Sequence, residues 1–205
     1  MSIHSNVNVG GWGLPLCSRY ALLVLGRLDT QALDEAGAAN HTIRWAFGVV
    51  PNGEFEVSGM WPELPEQEVV WRRIFGELRY RGVEQVALVV ASELMSIEKV
   101  IGEFYPRTRL VPPEWSMSRG ASGRGPQTTT GYLALGTGVA RRARRAEALA
   151  RDIGRQASAY LARTGAAVDR DDAAEKAGAA LARSYVRATA RTVSTDHSRR
   201  IPSAA

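Results

Sequence analysis

The apolar and polar positions of this chain follow two different periods. Up to Val111 the apolar residues fall mainly in short dense or alternating runs, whereas beyond Gly138 they recur every three, four or seven residues. Tyr20 to Arg27, YALLVLGR, has the density of a buried strand, and Thr42 to Val50, TIRWAFGVV, predicts a second strand rich in β-branched and aromatic residues. Between them, Leu28 to Asn40 is Ala-rich, carries Asp29, Asp34 and Glu35, and reads as a connector or a short helix. Pro51-Asn52-Gly53 predicts a turn, after which Glu54 to Trp61 alternates and pairs back as a hairpin. Its Phe55 and Val57 share one face, and Glu54 and Glu56 the other. Over Pro65 to Tyr80 the spacing turns helical: Val70, Ile74, Glu77, Leu78 and Arg81 separate into an apolar stripe and a charged face, with Gly82 placed to stop the helix. A strand over Val86 to Ala91, a helix over Met95 to Phe104 and a strand over Thr108 to Val111 follow.

Ser116 to Gly131, SMSRGASGRGPQTTTG, is poor in apolar residues and reads as a linker or mobile loop. Two Ala-rich helices are expected after it. The first, Gly138 to Thr164, carries Val139, Ala146, Leu149, Ile153, Ala157 and Tyr160 on its stripe and breaks at Thr164-Gly165. The second, Asp172 to Thr192, is opened by Asp169, Asp171 and Asp172 with Glu175 three residues on, and its stripe is Ala177, Leu181, Tyr185 and Ala188. The expected class is α/β, a mixed sheet flanked by helices and followed by a C-terminal Ala/Arg-rich helical hairpin. The expected division is a core over 1–113, a linker or loop over 114–137, a basic helical hairpin over 138–193 and a frayed tail over 194–205.

Composition narrows the classes of function. With 45% hydrophobic residues in 205, a real core is available and global disorder is excluded. No apolar run approaches the ~20 residues of a membrane helix, and the N-terminus lacks the pattern of a signal peptide, so a cytoplasmic protein without a membrane partner is expected. One cysteine, Cys17, excludes an internal disulfide and a cysteine-cluster metal site, and His4, His41 and His197 are scattered without ligand spacing. Cys17 stands near Arg19, but no base partner for a nucleophile is indicated. The net charge of +5 is uneven: ten Lys and Arg stand against thirteen Asp and Glu through Pro113, and sixteen against eight from Glu114 onward. Only Lys99 and Lys176 are lysines, a bias that suits bidentate phosphate contacts and equally follows from GC-rich codons.

The segments WAFGVVPNGEFEVSGMW, GELRYRGV, VALVVASEL and GEFYPRTRLV, in that order between Trp45 and Val111, resemble the catalytic core of mutator-type bacterial insertion-sequence transposases. Tyr20 to Arg27 resembles that family's first core strand, and the likeness spans about half the chain. The resemblance implies an RNase H-like core in which three carboxylates hold divalent metals that activate water or a DNA 3′ hydroxyl. Carried over residue by residue, the first acid falls on Tyr20 and the second on Ser92, and the family's later cysteine and histidine fall on Pro113 and Ser116. Neither Tyr20 nor Ser92 carries the negative charge that Mg²⁺ requires at neutral pH. For the third acid, Glu147 and Asp152 are candidates by residue type alone. Glu93 could substitute for Ser92 only if the strand has ended, since a one-residue shift reverses the facing, and Asp29 lies too far from Tyr20. The resemblance thus implies a degenerate, truncated transposase with no catalytic residues, no metal site and no cofactor, with Mg²⁺ required only if it is active. The family's N-terminal DNA-binding region is expected to be absent or replaced.

Arg141, Arg142, Arg144, Arg145, Arg151 and Arg155 crowd the first C-terminal helix, and read either as a clamp on the phosphate backbone of DNA or as a solvated helix face. Gly131 to Gly138 is glycine-rich but lacks the Lys-Ser/Thr ending of a nucleotide loop, and leads into a helix. Trp45, Trp61 and Trp71 are expected in the core; Trp12 and Trp115 are expected as core cover, with exposed stacking as the alternative. Three functional readings follow: a transposase-derived protein without cleavage that binds DNA or a protein partner; an assembly subunit that forms a homo-oligomer through the C-terminal helices; and an active metal-dependent DNA transposase with relocated acids.

Overall fold

The computed structural model describes residues 15–34, 37–113, 137–165, 167 and 170–198. It is an α/β structure built on a mixed sheet. Strand β1 (Arg19–Tyr20) runs through Ala21 into β2 (Leu22–Asp34), which turns into β3 (Gly37–Val49) and then β4 (Phe55–Pro62). Helix α1 (Gln67–Tyr80) leads to the short strands β5 (Gln85–Val86) and β6 (Leu88–Val90), and α2 (Leu94–Phe104) leads to β7 (Arg109–Val111). Helices α3 (Thr137–Thr164) and α4 (Arg170–Ser198) follow. The main sheet has the order β4-β3-β2-β6-β7. β2, β3 and β4 pair antiparallel, whereas β6 lies parallel to both β2 and β7. The parallel pairs are joined through helices, as parallel neighbours must be.

Both faces of the sheet are covered, which explains the continuous apolar run at its centre. Leu23, Leu25 and Val89 pack with Val70, Trp71, Ile74, Phe75 and Leu78 of α1 and Ile97, Val100 and Ile101 of α2. Leu22, Val24 and Val90 face the other way, onto Ala143, Ala146, Ala150, Ile153 and Ala157 of α3 and Ala177, Leu181 and Ala188 of α4. The small alanine side chains bring the backbones of α3 and α4 close to the sheet and to one another. From α4, Tyr185 donates a 2.5 Å hydrogen bond to the Phe55 carbonyl of β4, and its ring meets Phe47 edge-on. Gly82, at φ +99°, ends α1 in a conformation that a side chain resists, as its position predicts.

One expected element is corrected. Leu28 to Asn40 is neither connector nor helix: β2 and β3 continue as one long hairpin, paired from Leu28↔Ile43 to Asp34↔Gly37. The reason is a period of two hidden in an Ala-rich stretch. Leu28, Thr30 and Ala32 are buried while Asp29 and Gln31 are exposed, and Ala32 is covered by Ala167 and Ala173. The interior location of Trp45, Trp61 and Trp71 agrees with expectation. Trp12, Trp115, Ser116 and most of the Gly131 to Gly138 stretch lie outside the described residues.

Glu56 carries a titration built into this fold. It points to the side opposite Phe55 and accepts a hydrogen bond from the Tyr20 hydroxyl. Burial raises its carboxyl above the ordinary value, against the opposing pull of the Cys17 backbone N–H and of Arg81. Because the folded state holds this proton more tightly than the unfolded chain, stability falls as pH rises from the ordinary carboxylate value through the raised one. Glu56→Gln is expected to flatten that part of the stability–pH curve measured by denaturant titration.

Candidate functional site

The carboxyl ends of β2 and β6 lie side by side. Leu23 pairs with Val89 and Val24 with Val90, and Gly26 and Ser92, each two residues beyond the last pair, line one cleft at this end of the strands. Tyr20 pairs with Val86 in the same register, six residues before Ser92 and roughly 20 Å away at ~3.3 Å per residue. The structure therefore does not bring Tyr20 and Ser92 together. Tyr20 is a core residue, 2% exposed, with its ring against Gly48 and its hydroxyl on Glu56.

A cleft of about 430 Å³ opens at the ends of these strands. Gly26 and Arg27 of β2, Arg44 and Trp45 of β3, Ser92 and Glu93 after β6, and Arg151, Gly154 and Arg155 of α3 line it. Trp45 is the cross-strand partner of Gly26. Its indole lies where a side chain on residue 26 would go: a Cβ there would stand 2.2 Å from Trp45 Cζ2. The same ring atom would lie 3.5 Å from a Cβ on Gly154, so the indole fills the gap between β2 and α3. The absence of a side chain at Gly26 is what admits this ring.

Behind the cleft sits a buried charge cluster. Arg44, 5% exposed, donates from Nη2 to Glu63 Oε1 and from Nη1 to Glu93 Oε1, both at 2.8 Å, and from Nε to Glu63 Oε2. Its guanidinium lies 4.8 Å from the centre of the Trp71 ring. Burial pulls the Arg44 pKa down, but the hydrogen bonds and charges of Glu63 and Glu93 outweigh it and leave the guanidinium above its ordinary value. Glu93, the one acid that could take the place of Ser92, is thus held by Arg44. Arg44 was not among the residues singled out from the sequence; the available signal was an arginine inside an otherwise apolar strand.

Of the other candidate acids, Glu147 is buried on α3, and Asp152 accepts hydrogen bonds from Arg155 and Gln156 at 2.6 and 2.7 Å; neither lines the cleft. Asp29 lies out on the hairpin and accepts a hydrogen bond from Thr42 at 2.8 Å. Among the described residues no three His, Cys, Asp or Glu side chains are grouped to hold a metal ion. Arg141, Arg142, Arg144, Arg145, Arg151 and Arg155 of α3 are all exposed, but they do not form one surface. At about 100° per residue, Arg144, Arg151 and Arg155 make one stripe, of which Arg151 and Arg155 border the cleft. Arg141, Arg145 and Arg142, in that order, turn progressively away from it, by about 60°, 100° and 160°. No described helix is long and apolar enough to cross a membrane.

Comparison with known proteins places this arrangement in context. The sequence model of the family described as "Transposase, Mutator family" matches residues 8–111, the stretch that ends with β7. The chain is 29% identical over 101 residues to the transposase for insertion sequence element ISRM3 of Rhizobium meliloti (strain 1021), covering 49% of this chain and 25% of that protein. It is also 29% identical over 101 residues to the probable transposase for insertion sequence element ISRM3-like of Sinorhizobium fredii (strain NBRC 101917 / NGR234), with the same coverage. The match spans about a quarter of the length of these relatives.

Proposed function

The chain belongs to the mutator family of transposases, and on that premise we propose that it keeps the family's frame, lacks metal-dependent strand cleavage and binds DNA through α3. The strand order β4-β3-β2-β6-β7, with an antiparallel meander followed by helix-linked parallel strands, supports the RNase H-like reading of the core. The observation that carries the loss of cleavage is the Trp45 indole lying over Gly26 beside Ser92. Register supports Gly26, rather than Tyr20, as the residue in the first acid's place. The residues around this point do not fit a divalent cation: Gly26 and Ser92 carry no charge, Arg27, Arg151 and Arg155 surround them, and Glu93 is paired with Arg44. Relocated acids find no support, because Glu147 and Asp152 lie off the cleft.

DNA binding is supported by the family and by the exposure of all seven arginines along α3. Assembly through the C-terminal helices is less favoured, because the Ala143–Ala146–Ala150–Ala157 and Ala177–Leu181–Ala188 stripes already face the sheet. Duplex affinity between 50 and 200 mM salt separates the readings. Neutralising Arg141, Arg142, Arg144 and Arg145 to glutamine is expected to flatten the salt slope by about 3 and to weaken low-salt binding at least tenfold. No binding of the unaltered chain at low salt would overturn the DNA reading and favour assembly.

A further inference from the structure

We infer that the cleft at the ends of β2 and β6 is a phosphate-binding site built from arginines. This rests on the proposed loss of the metal site and extends it to what replaced that chemistry. Four arginines and one glutamate line the cleft. At its floor Arg44 is engaged by Glu93, 2.8 Å away, and by Glu63, a cluster with one excess negative charge, and Arg27, Arg151 and Arg155 are the positive charges presented to a ligand. These three come from two elements, β2 and α3, so they approach one point from different sides, as a cluster recognising a single anion does. All three are exposed, and among the described residues the acids that pair with them do so at the surface, Asp29 with Arg27 at 3.5 Å and Asp152 with Arg155 at 2.6 Å. Pairs of that kind contribute little and yield readily to a stronger anion.

A second observation is independent of charge. Trp45, 6% exposed, walls the cleft, and its indole Nε1 is buried without a hydrogen-bond partner. A buried donor without a partner is uncommon in a folded protein, and an anion oxygen that reached it would supply the missing acceptor. Ser92 adds an exposed hydroxyl at the mouth. The planar fork of arginine fits phosphate oxygens in pairs, and the cleft is large enough for a phosphate with its attached sugar.

The test compares two double variants of equal charge change in the full chain, Arg27→Gln with Arg151→Gln in the cleft and Arg141→Gln with Arg145→Gln on the outer part of α3. Inorganic phosphate is titrated by calorimetry at low salt. The cleft pair is expected to lose at least tenfold in phosphate affinity and the outer pair less than twofold, with both variants melting as the unaltered chain does. Equal losses in the two variants, or no phosphate binding by the unaltered chain at millimolar concentration, would overturn the site. Single-stranded oligonucleotides with and without a 5′ phosphate identify the source: preference for the phosphorylated end assigns a strand terminus, equal affinity assigns an internal phosphodiester, and both require loss in the cleft pair. Duplex binding measured on the same variants separates the two proposals. If the chain binds duplex DNA and the cleft pair loses no phosphate affinity, the cleft site fails and the DNA-binding reading stands; if the cleft binds phosphate and the chain binds no duplex, the DNA-binding reading fails and the site stands.

Discussion

Gly26→Asp is expected to lower the stability of the chain by about 3 kcal/mol and to restore no cleavage. The first carbon of the new side chain would lie 2.2 Å from Trp45 Cζ2, far inside contact distance. β2 has little freedom to move away, because it is hydrogen-bonded to β3 on one side and β6 on the other. Overpacking of this kind costs ~1–3 kcal/mol, and a carboxylate forced against a buried indole adds a desolvation cost. Trp45→Ala removes a buried ring and costs ~3–5 kcal/mol by itself, but in that background Gly26→Asp is expected to add less than it costs alone, because the space the carboxylate needs is open. Denaturant midpoints of the single and double variants test this; an unchanged midpoint for Gly26→Asp would mean that the indole does not hold the position.

Arg44→Ala is expected to cost about 3 kcal/mol. The arginine satisfies two carboxylates at once, and its removal leaves Glu63 and Glu93 facing each other without a cation. Breaking a buried pair costs more than replacing it whole. The lower end of the usual ~3–5 kcal/mol applies because the two glutamate side chains retain about a quarter of their exposure. Arg44→Met combined with Glu63→Gln and Glu93→Gln is accordingly expected to be more stable than Arg44→Ala alone. If the single variant unfolds at the same denaturant concentration as the unaltered chain, the cluster contributes nothing.

Much of the frame was legible because it depends on local pattern. The turn at Pro51-Asn52-Gly53, the alternation after it, the stripe of α1 and the glycine that ends it lie within windows of a few residues. The length of the β2–β3 hairpin was not legible, because alanines at 32 and 38–39 blur the alternation and the cover for Ala32 comes from residues 167 and 173. Ser92, which follows a clear strand, was marked by the sequence and lines the cleft. Its neighbour was not: matching apolar runs led to Tyr20, whereas the pairing of Val24 with Val90 brings Gly26 alongside. Register between strands more than sixty residues apart leaves no mark in either strand alone. The same holds for Arg44, whose partners lie 19 and 49 residues away, and for Trp45, whose ring is explained only by the glycine across from it.

The most direct measurement is conversion of supercoiled plasmid to nicked circles by the full chain, with Mg²⁺ or Mn²⁺ and with neither. The account predicts no metal-dependent nicking above the metal-free control. Robust cutting that requires Mn²⁺ or Mg²⁺ and disappears in Glu93→Ala would contradict it, because Glu93 would then be serving as a metal ligand rather than as the partner of Arg44.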